Sequence, residues 1–384
     1  MASKRILITG LSTYWGGRVA QALEDDDEVE AIIGIDRRPP KVELDRTEFV
    51  QVADHHTLIR RIVQGAEIDT VVDTRLVTDS ITTSPRKTHE NNIIGTMNIL
   101  AACSGAGGLG SSVRKVVFRS SALSYGSEQD DPAFFTEDMR RKRAPRTALE
   151  RDIVDAEAAV ADFAAKHPET TVTVLRFAHG LGPDMRTSLG QLLSLPVIPM
   201  ILGFDPRLQF VHEDDIAGAL VHAVTADLPG IYNVAADGVL ALSEVAGLLG
   251  KPAVPLLPPW GTSLALPIAK RLGVRIPPEL SNELRFGRGL DNRRFKATGY
   301  RLRHTSRETV ELLREHQRIA PLMRDRLGPY RYEREVEDFL RWSPNVRRDQ
   351  EGEWRPTRDQ IAELRRALDA LEREGGDPTR ATSD

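Results

Sequence analysis

Residues 6–20 read ILITGLSTYWGGRVA, an apolar run followed by a glycine-containing turn and the start of a helical pattern. A β-branched run that ends in glycine is typical of a strand leading into a tight turn, because glycine adopts backbone angles that other residues avoid. Gly10 ends the run and Gly16 opens the helical stretch, so backbone N–H groups at the helix start can approach a phosphate. The turn therefore predicts a nucleotide-phosphate site.

An acidic residue follows this turn at the distance expected for a dinucleotide site. Asp36 ends the second predicted strand, where a carboxylate can accept hydrogen bonds from the adenosine ribose 2′-hydroxyl and repel a 2′-phosphate. This favours NAD over NADP, although Arg37 and Arg38 leave NADP open. Asp54, just after the third predicted strand, either meets the adenine amino group or caps the following helix.

Short apolar runs alternate with helical patterns along the first half of the chain. Predicted strands are 5–9, 31–36, 48–52, 70–74, 114–120 and 171–177, and predicted helices include 17–24, 57–64, 90–103 and 148–166. Apolar strands separated by crossover helices indicate an α/β fold with a doubly wound parallel sheet, whose ligands bind at the carboxyl ends of the strands.

Three regions are predicted. Residues 1–180 form the nucleotide-binding domain, 181–326 form mainly a smaller lobe with segments such as 231–235 that return to the first domain, and 327–384 form a strongly charged extension. A capping-box pattern at Thr357 and Gln360 predicts a helix in this extension that stops at Gly375, with a disordered end after it.

Composition excludes several classes of protein. The 384 residues carry a net charge of -4, which gives no reason to expect a nucleic-acid binder. The single cysteine, Cys103, cannot form an internal disulfide, and the longest apolar segment is interrupted by Pro196 and Pro199. We therefore expect a cytoplasmic protein that does not span a membrane.

Several motifs in order resemble the extended short-chain dehydrogenase/reductases, specifically the NAD-dependent epimerase/dehydratase group. They are Thr9-Gly10 with Gly16, Asp36, 92–96 (NIIGT), 120–126 (SSALSYG), Leu175-Arg176 with Gly182-Pro183, 210–212 with Asp214-Asp215, 231–234, 291–295 and Gly299-Tyr300. The resemblance spans roughly the first 310 residues. It implies a Rossmann-type domain that carries NAD(H) or NADP(H), and a C-terminal lobe that binds a small-molecule substrate such as a nucleotide sugar.

The resemblance and the local pattern together give a set of cofactor-binding residues: Thr9, Gly10, Thr13, Gly16, Asp36, Arg37, Asp54, Thr74 and Asn92. Two positions depart from the family pattern. Thr13 replaces the middle glycine of the turn, where its side chain takes space near the pyrophosphate and disfavours a positive φ. Arg75 replaces a small residue after the fourth strand, and either faces the cofactor or turns into solvent.

The family's catalytic groups are a Ser or Thr, a Tyr, and a Lys four residues after the Tyr. Ser121 matches the first, but no tyrosine lies between Tyr125 and Tyr232. If Glu157 matches the family's glutamate, Leu149 and Ile153 occupy the Tyr and Lys positions; if Asp155 does, Thr147 and Arg151 occupy them. Neither pair supplies a titratable acid and its lysine, so the family's standard mechanism is predicted to be lost.

Other groups near these positions are Glu150, Asp152, Asp155, His179 and His212, for which structural roles are favoured over catalysis. The run MRRKRAPR at 139–146 is either an anion clamp or, as we favour, a solvated loop. Three hypotheses follow: an enzyme with a relocated acid/base, an NAD(H)-binding regulator without turnover, and, more weakly, an RNA-associated protein. No metal centre is predicted, and a homodimer through 90–103 and 148–166 is implied only by the resemblance.

Overall fold

The computed structural model describes residues 4–52, 56–81, 83–105, 111–257 and 277–323. The strands in chain order are β1 (Arg5–Thr9), β2 (Ala31–Asp36), β3 (Thr47–Gln51), β4 (Thr70–Asp73), β5 (Lys115–Ser121), β6 (Phe134–Phe135), β7 (Thr171–Phe177), β8 (His179–Leu181), β9 (Ile198–Ile201), β10 (Arg207–Leu208), β11 (Phe210–His212), β12 (Gly230–Val234), β13 (Leu240–Ala241), β14 (Ala253–Leu257) and β15 (Gly289–Leu290).

The helices in chain order are α1 (Tyr14–Glu24), α2 (His56–Gly65), α3 (Pro85–His89), α4 (Thr96–Cys103), α5 (Ala148–Lys166), α6 (Ser188–Leu193), α7 (Glu213–Thr225), α8 (Leu242–Leu248), α9 (Pro278–Phe286), α10 (Arg293–Lys296) and α11 (Ser306–Met323). A π-helical turn, Glu90–Gly95, joins α3 to α4, and a 3₁₀ turn, Ala122–Tyr125, follows β5.

Seven strands form one parallel sheet in the order β12-β7-β5-β4-β1-β2-β3. β1 lies at the point where the order reverses: it pairs with β2 on one side and with β4 on the other. The carboxyl ends of these strands therefore meet at one edge, which is where doubly wound sheets bind ligands. The predicted fold class, a Rossmann-type α/β sheet, is confirmed.

Helices cover both faces of this sheet, which explains why its central strands are apolar along their whole length. On one face α2, α4 and α5 bury Ile59, Ile99 and Ile153 against the sheet. On the other face, α1 and α7 contribute Val19 and Ala219.

The predicted helix 148–166 and the strands 5–9, 31–36 and 171–177 coincide with the observed elements. The predicted helix 90–103 is wrong as a single α-helix, because the π-helical turn interrupts the hydrogen-bond pattern before α4. Helix α1 begins at Tyr14 rather than at Gly17, since the side chain of Thr13 caps it.

A second apolar cluster lies between short elements that follow β7. It includes Leu189, Ile198, Leu208, Val245 and Leu284. Residues 1–319 form one compact unit, while β12 returns from beyond residue 180 to the main sheet. The division at residue 180 stays a prediction, and the extension 327–384 lies outside the described residues. None of the helices in the described ranges is long and apolar enough to cross a membrane.

A substitution at Phe295 would test the packing of the core beneath α7. Its side chain is fully buried, and its ring centroid lies 5.3 Å from that of Tyr300 and 6.2 Å from that of Tyr232. We expect Phe295→Ala to lower the free energy of unfolding by about 3–5 kcal/mol, because the cavity cannot refill. Phe134→Ala, at a side chain 46% exposed, is the matched control and should cost less than about 1 kcal/mol. Urea denaturation measures both values, and equal losses would contradict the assignment of Phe295 to the core.

Candidate functional site

The turn after β1 is built around two glycines. Gly10 has φ +81°, in the left-handed region, and a Cβ on Gly16 would lie 2.2 Å from the Gly10 carbonyl oxygen. Helix α1 therefore starts directly against the end of β1. The N–H groups of Tyr14 and Trp15, in its first turn, have no carbonyl ahead of them in the helix, so they are available to an anion.

Thr13 is the N-cap of α1. Its backbone is extended, with φ -72°, so this position requires no left-handed conformation and the expected strain is absent here. Its hydroxyl accepts the N–H of Gly16 at 3.0 Å and donates to the Gly10 carbonyl at 2.6 Å. The threonine thus stabilises the turn, and it uses one of the N–H groups of the helix terminus in doing so.

Asp36 lies at the end of β2, beside the same turn. Its carboxylate accepts the N–H and the hydroxyl of Ser12 at 2.9 and 2.7 Å, and the N–H of Arg37 at 2.6 Å. Asp36, Arg37, Ser12 and Thr13 line one cavity, which we call the turn cavity. Asp54 lies outside the described residues.

Arg75 turns inward rather than into solvent. Its side chain is 8% exposed and pairs with Asp73, with Nε 3.1 Å from Oδ1 and Nη2 3.2 Å from Oδ2. Its Cγ lies 2.4 Å from where a Cβ on Gly10 would be, and its Nη1 lies 2.6 Å from the equivalent point on Gly95. A positive charge therefore lies at the glycine turn, on the wall of the turn cavity.

The remaining predicted cofactor residues are buried beside the turn. Thr9 donates to Asp73 Oδ1 at 2.9 Å, and Thr74 donates to the Thr9 carbonyl at 2.9 Å. The Asn92 side chain accepts the N–H of Val77 at 2.8 Å and donates to the Val77 carbonyl at 2.9 Å. In the described structure Asn92 therefore positions the chain after β4, and the structure brings Thr9, Gly10, Thr13, Gly16, Asp36 and Thr74 together.

Ser121 lines a second cavity, which we call the serine cavity. The hydroxyl accepts the N–H of Leu123 at 3.2 Å, so it caps the 3₁₀ turn after β5. Trp15, Arg119 and His179 also line this cavity. Arg119 donates to the Leu76 carbonyl at 2.9 Å, and its guanidinium lies 5.3 Å from the Trp15 ring centroid. Burial lowers the pKa of Arg119 to about 10, which leaves it charged at neutral pH.

A half-buried histidine, a buried glutamate and a buried arginine form a hydrogen-bonded chain on the wall of the serine cavity. Glu283 Oε1 accepts His179 Nε2 and Arg288 Nη2, each at 2.6 Å. Burial on its own raises the pKa of the Glu283 carboxyl, but the Arg288 and His179 charges and hydrogen bonds outweigh it and lower the pKa to about 2. The carboxylate therefore stays ionised and fixes the imidazole.

The sequence did not single out Arg119, Glu283 or Arg288. A signal for Arg119 was present, since an arginine inside the apolar strand KVVFRSS needs a buried partner. Glu283 and Arg288 lie on α9 and just after it, and their partner His179 is distant in sequence, so no local pattern marks them.

Three of the other candidate groups, Glu150, Asp152 and His212, have structural partners. Glu150 caps α5 and pairs with Arg141 at 2.8 Å, and Asp152 contacts His89 at 2.8 Å. Asp155 is exposed, and His212 caps α7.

In the basic run 139–146, two arginines form salt bridges with nearby acidic residues. Arg143 pairs with Asp130 and Arg146 with Glu128, both at 2.6 Å. These pairs favour a structural loop over an anion clamp.

Comparison with known proteins places this geometry in a family. The model of the "NAD dependent epimerase/dehydratase family" matches residues 6–235, which is more than half of the chain. The chain belongs to this family. The uncharacterized protein Rv0501 of Mycobacterium tuberculosis and the uncharacterized protein Mb0513 of Mycobacterium bovis are each 32% identical over 332 residues, which cover 83% of this chain and 86% of theirs.

Solved structures of the family share the fold. UDP-glucose 4-epimerase of Thermotoga maritima, solved with UDP-glucose, has a TM-score of 0.62 at 17% identity and covers 83% of this chain and 99% of its own. UDP-glucuronic acid 4-epimerase of Bacillus cereus, in complex with NAD, has a TM-score of 0.61 at 16% identity, with 82% and 99% covered. At these identities the likeness shows the fold.

Helix α5 is the helix that the resemblance matches to the family's catalytic helix, and its predicted Tyr and Lys positions hold other residues. Leu149 and Ile153 are buried in the core, while Thr147 caps α5 and Arg151 is exposed. Glu157 accepts Arg176 Nη2 at 2.6 Å and also the Ser120 hydroxyl. Under either predicted alignment, these positions carry neither a phenol nor an amine.

Tyr125 does not replace the missing phenol. It is buried, it donates to Asn233 Oδ1 at 2.8 Å, and burial raises its pKa. Its role is therefore structural.

Glu283 gives the site a measurable pH dependence. A carboxyl whose pKa is lower in the folded state stabilises the fold above its unfolded pKa of 4.5, and this contribution is lost as the pH falls towards 2. We expect Glu283→Gln to lower the free energy of unfolding near neutral pH by about 3–5 kcal/mol, since the buried Arg288 guanidinium loses its charged partner.

The difference between wild type and Glu283→Gln should shrink as the pH falls below 4.5, which denaturant titrations across this range measure. Glu311→Gln, at an exposed side chain 3.9 Å from Arg307, should change stability by less than about 1 kcal/mol. A gap between wild type and Glu283→Gln that is the same at every pH would contradict the ionised pair.

Proposed function

We propose that the chain binds NAD(H) and carries out hydride-transfer chemistry on a nucleotide sugar or a related anionic small molecule, with His179 in the acid–base role of the missing tyrosine. The observation that carries this proposal is the His179–Glu283–Arg288 chain on the wall of the cavity that also holds Ser121. Because this site lies at the carboxyl edge of the sheet, it is where the family's fold binds its ligands.

The residues at the turn fit a dinucleotide. The Asp36 carboxylate lies at the cavity edge, where a ribose hydroxyl can donate to it. The open N–H groups at the start of α1 and the Arg75 guanidinium suit a diphosphate. The turn cavity would hold the adenosine half, and the serine cavity the other end. When bound, NAD(H) supplies the hydride acceptor or donor.

Glu283 determines which nitrogen of His179 can act as a base. The carboxylate only accepts hydrogen bonds, so Nε2 donates to it. In the neutral imidazole, Nδ1 then carries the lone pair, and it can take a proton from a substrate hydroxyl and return it in the reverse direction. Ser121, in the same cavity, would donate or accept a hydrogen bond at the reacting oxygen.

Unpartnered donors in the serine cavity favour an anionic substrate. Arg119 Nε and Arg288 Nε and Nη1 are buried and find no acceptor among the described residues. Buried N–H groups of this kind are normally paired, so phosphate or carboxylate oxygens would complete them. The structural neighbours solved with UDP-glucose and UDP-glucuronic acid support a nucleotide sugar.

A regulator that binds NAD(H) without turnover is the second candidate. The packing of Leu149 and Ile153 in the core favours it, because the usual proton donor and its lysine are replaced by groups that stabilise the fold. The ion pairs of the basic run 139–146 leave the RNA hypothesis without a supporting observation.

A homodimer and a cytoplasmic location are also part of the proposal. Ile94 and Met97, on the helical segment predicted to form the dimer, are 49% and 57% exposed, and such apolar groups suit an interface. The buried, unpaired Cys103 suits a reducing compartment.

Cofactor binding is tested by calorimetry with NADH and NADPH. We expect NADH to bind more tightly, and Asp36→Asn to weaken NADH binding by about tenfold or more, because a charged acceptor at the ribose is lost. Asp162→Asn, at an exposed carboxylate of α5, is the control that leaves binding unchanged. NADPH binding as tight as NADH, or an unchanged affinity in Asp36→Asn, would contradict the assigned site.

The acid–base role is tested by turnover of UDP-glucose, UDP-glucuronic acid and dTDP-glucose in the presence of NAD⁺. We expect His179→Gln to lower kcat by about 10²–10⁴-fold with little change in NADH affinity, since only the proton-transfer group is removed. His316→Gln, on the exposed side of α11, should retain full activity. Turnover that survives His179→Gln would refute the role, and NADH binding without turnover of any substrate would favour the regulator.

A further inference from the structure

Two histidines and a carboxylate that the proposed function does not use meet at the start of α7. His212 ends β11, Asp214 lies in the first turn of α7, and His304 comes from the segment before α11. One nitrogen of each histidine and one Asp214 oxygen all lie within 4.8 Å of one another. The two imidazole rings are T-shaped, with centroids 4.6 Å apart.

The backbone holds these groups in place. The buried Asp215 carboxylate accepts the N–H of Arg303 at 2.7 Å and that of His304 at 3.1 Å. This fixes the segment that carries His304 against the first turn of α7. The three groups are therefore brought together by a buried hydrogen-bonded contact rather than by loose surface side chains.

One oxygen of the Asp214 carboxylate is held by an arginine, and the other lies near His212. Oδ1 accepts Arg18 Nη2 at 2.7 Å, and Oδ2 lies 3.5 Å from His212 Nδ1. Carboxylates that bind metals are commonly held in this way by an outer hydrogen-bond donor. The present partner of His212 Nδ1 is the Asp214 N–H at 3.3 Å, a long contact that an ion would replace at little cost.

We propose that His212, Asp214 and His304 bind a divalent transition-metal ion, for which Zn²⁺ best matches two imidazoles and one carboxylate. Such a ligand set leaves a fourth tetrahedral position for water. The three groups line neither the turn cavity nor the serine cavity, so the ion would join the start of α7 to the segment before α11. Arg18 and the N-terminal end of α7 carry positive charge, so we expect weaker binding than at a closed four-ligand site.

The test uses the full chain, stripped with a chelator and titrated with Zn²⁺ by calorimetry and with Co²⁺ by visible absorption. We expect one equivalent to bind, and His304→Ala and Asp214→Asn each to weaken binding by about tenfold or more. Co²⁺ should show the intense bands of a four-coordinate nitrogen–oxygen site. His316→Ala, which removes an exposed histidine of α11, should leave the affinity unchanged.

Thermal unfolding separates ligand loss from misfolding. Zn²⁺ should raise the Tm of wild type and of His316→Ala, because an ion that binds the folded state stabilises it, and should raise the Tm of His304→Ala by less at the same Zn²⁺ concentration. A wild-type chain that binds less than one equivalent, or equal losses of affinity in His304→Ala and His316→Ala, would overturn the site. NADH affinity is measured in the same samples, so its result stands independently of the metal result.

Discussion

Gly16 lies so close to the Gly10 carbonyl oxygen that a Cβ would come within 2.2 Å of it. This contact allows α1 to start directly above the end of β1. Since β1 is the strand at which the sheet order reverses, the N-terminus of α1 faces the edge where β2 and β4 end. Asp36, Asp73 and the helix terminus converge there for that reason. A side chain at either glycine would move α1 away from the sheet and separate these groups.

The two departures from the family pattern at this turn act on the same physical quantity, the positive potential near a bound diphosphate. Thr13 takes the Gly16 N–H for itself, which removes one donor from the helix terminus. Arg75 brings a guanidinium against Gly10, and Asp73 fixes it there. Under the proposed function, the Arg75 guanidinium takes over part of the diphosphate binding that the N–H groups of the helix terminus would otherwise provide. The turn then still binds a diphosphate, but with a different set of donors.

The fold could be predicted because its determinants are local. Buried parallel strands are apolar runs, and α5 shows its period in Leu149, Ile153, Ala156 and Val160. The glycine turn and Asp36 were found for the same reason. The π-helical turn before α4 was missed, since its apolar spacing is close to that of an α-helix.

The parts of the site that the sequence did not indicate depend on contacts between distant segments. Glu283 and Arg288 meet His179 only because α9 and the residues just after it lie beside the start of β8. His304 meets His212 only through the Asp215 contact. A single sequence carries no pattern for such pairs, because each residue alone resembles an ordinary surface charge.

The serine cavity also limits which group can move a proton. Two of its acids already accept hydrogen bonds from backbone N–H groups: Asp79 from Ser188 at 2.6 Å, and Glu279 from Ser80 at 3.2 Å. Glu283 is held ionised by its two partners, and Arg119, whose pKa burial lowers to about 10, stays charged at neutral pH. Among the described residues that line this cavity, His179 is the one histidine, the residue type that most often moves protons near neutral pH. Glu157 and Arg176 hold helix α5 against β7, and under the proposed function the proton transfer is assigned to His179 rather than to a residue of this helix.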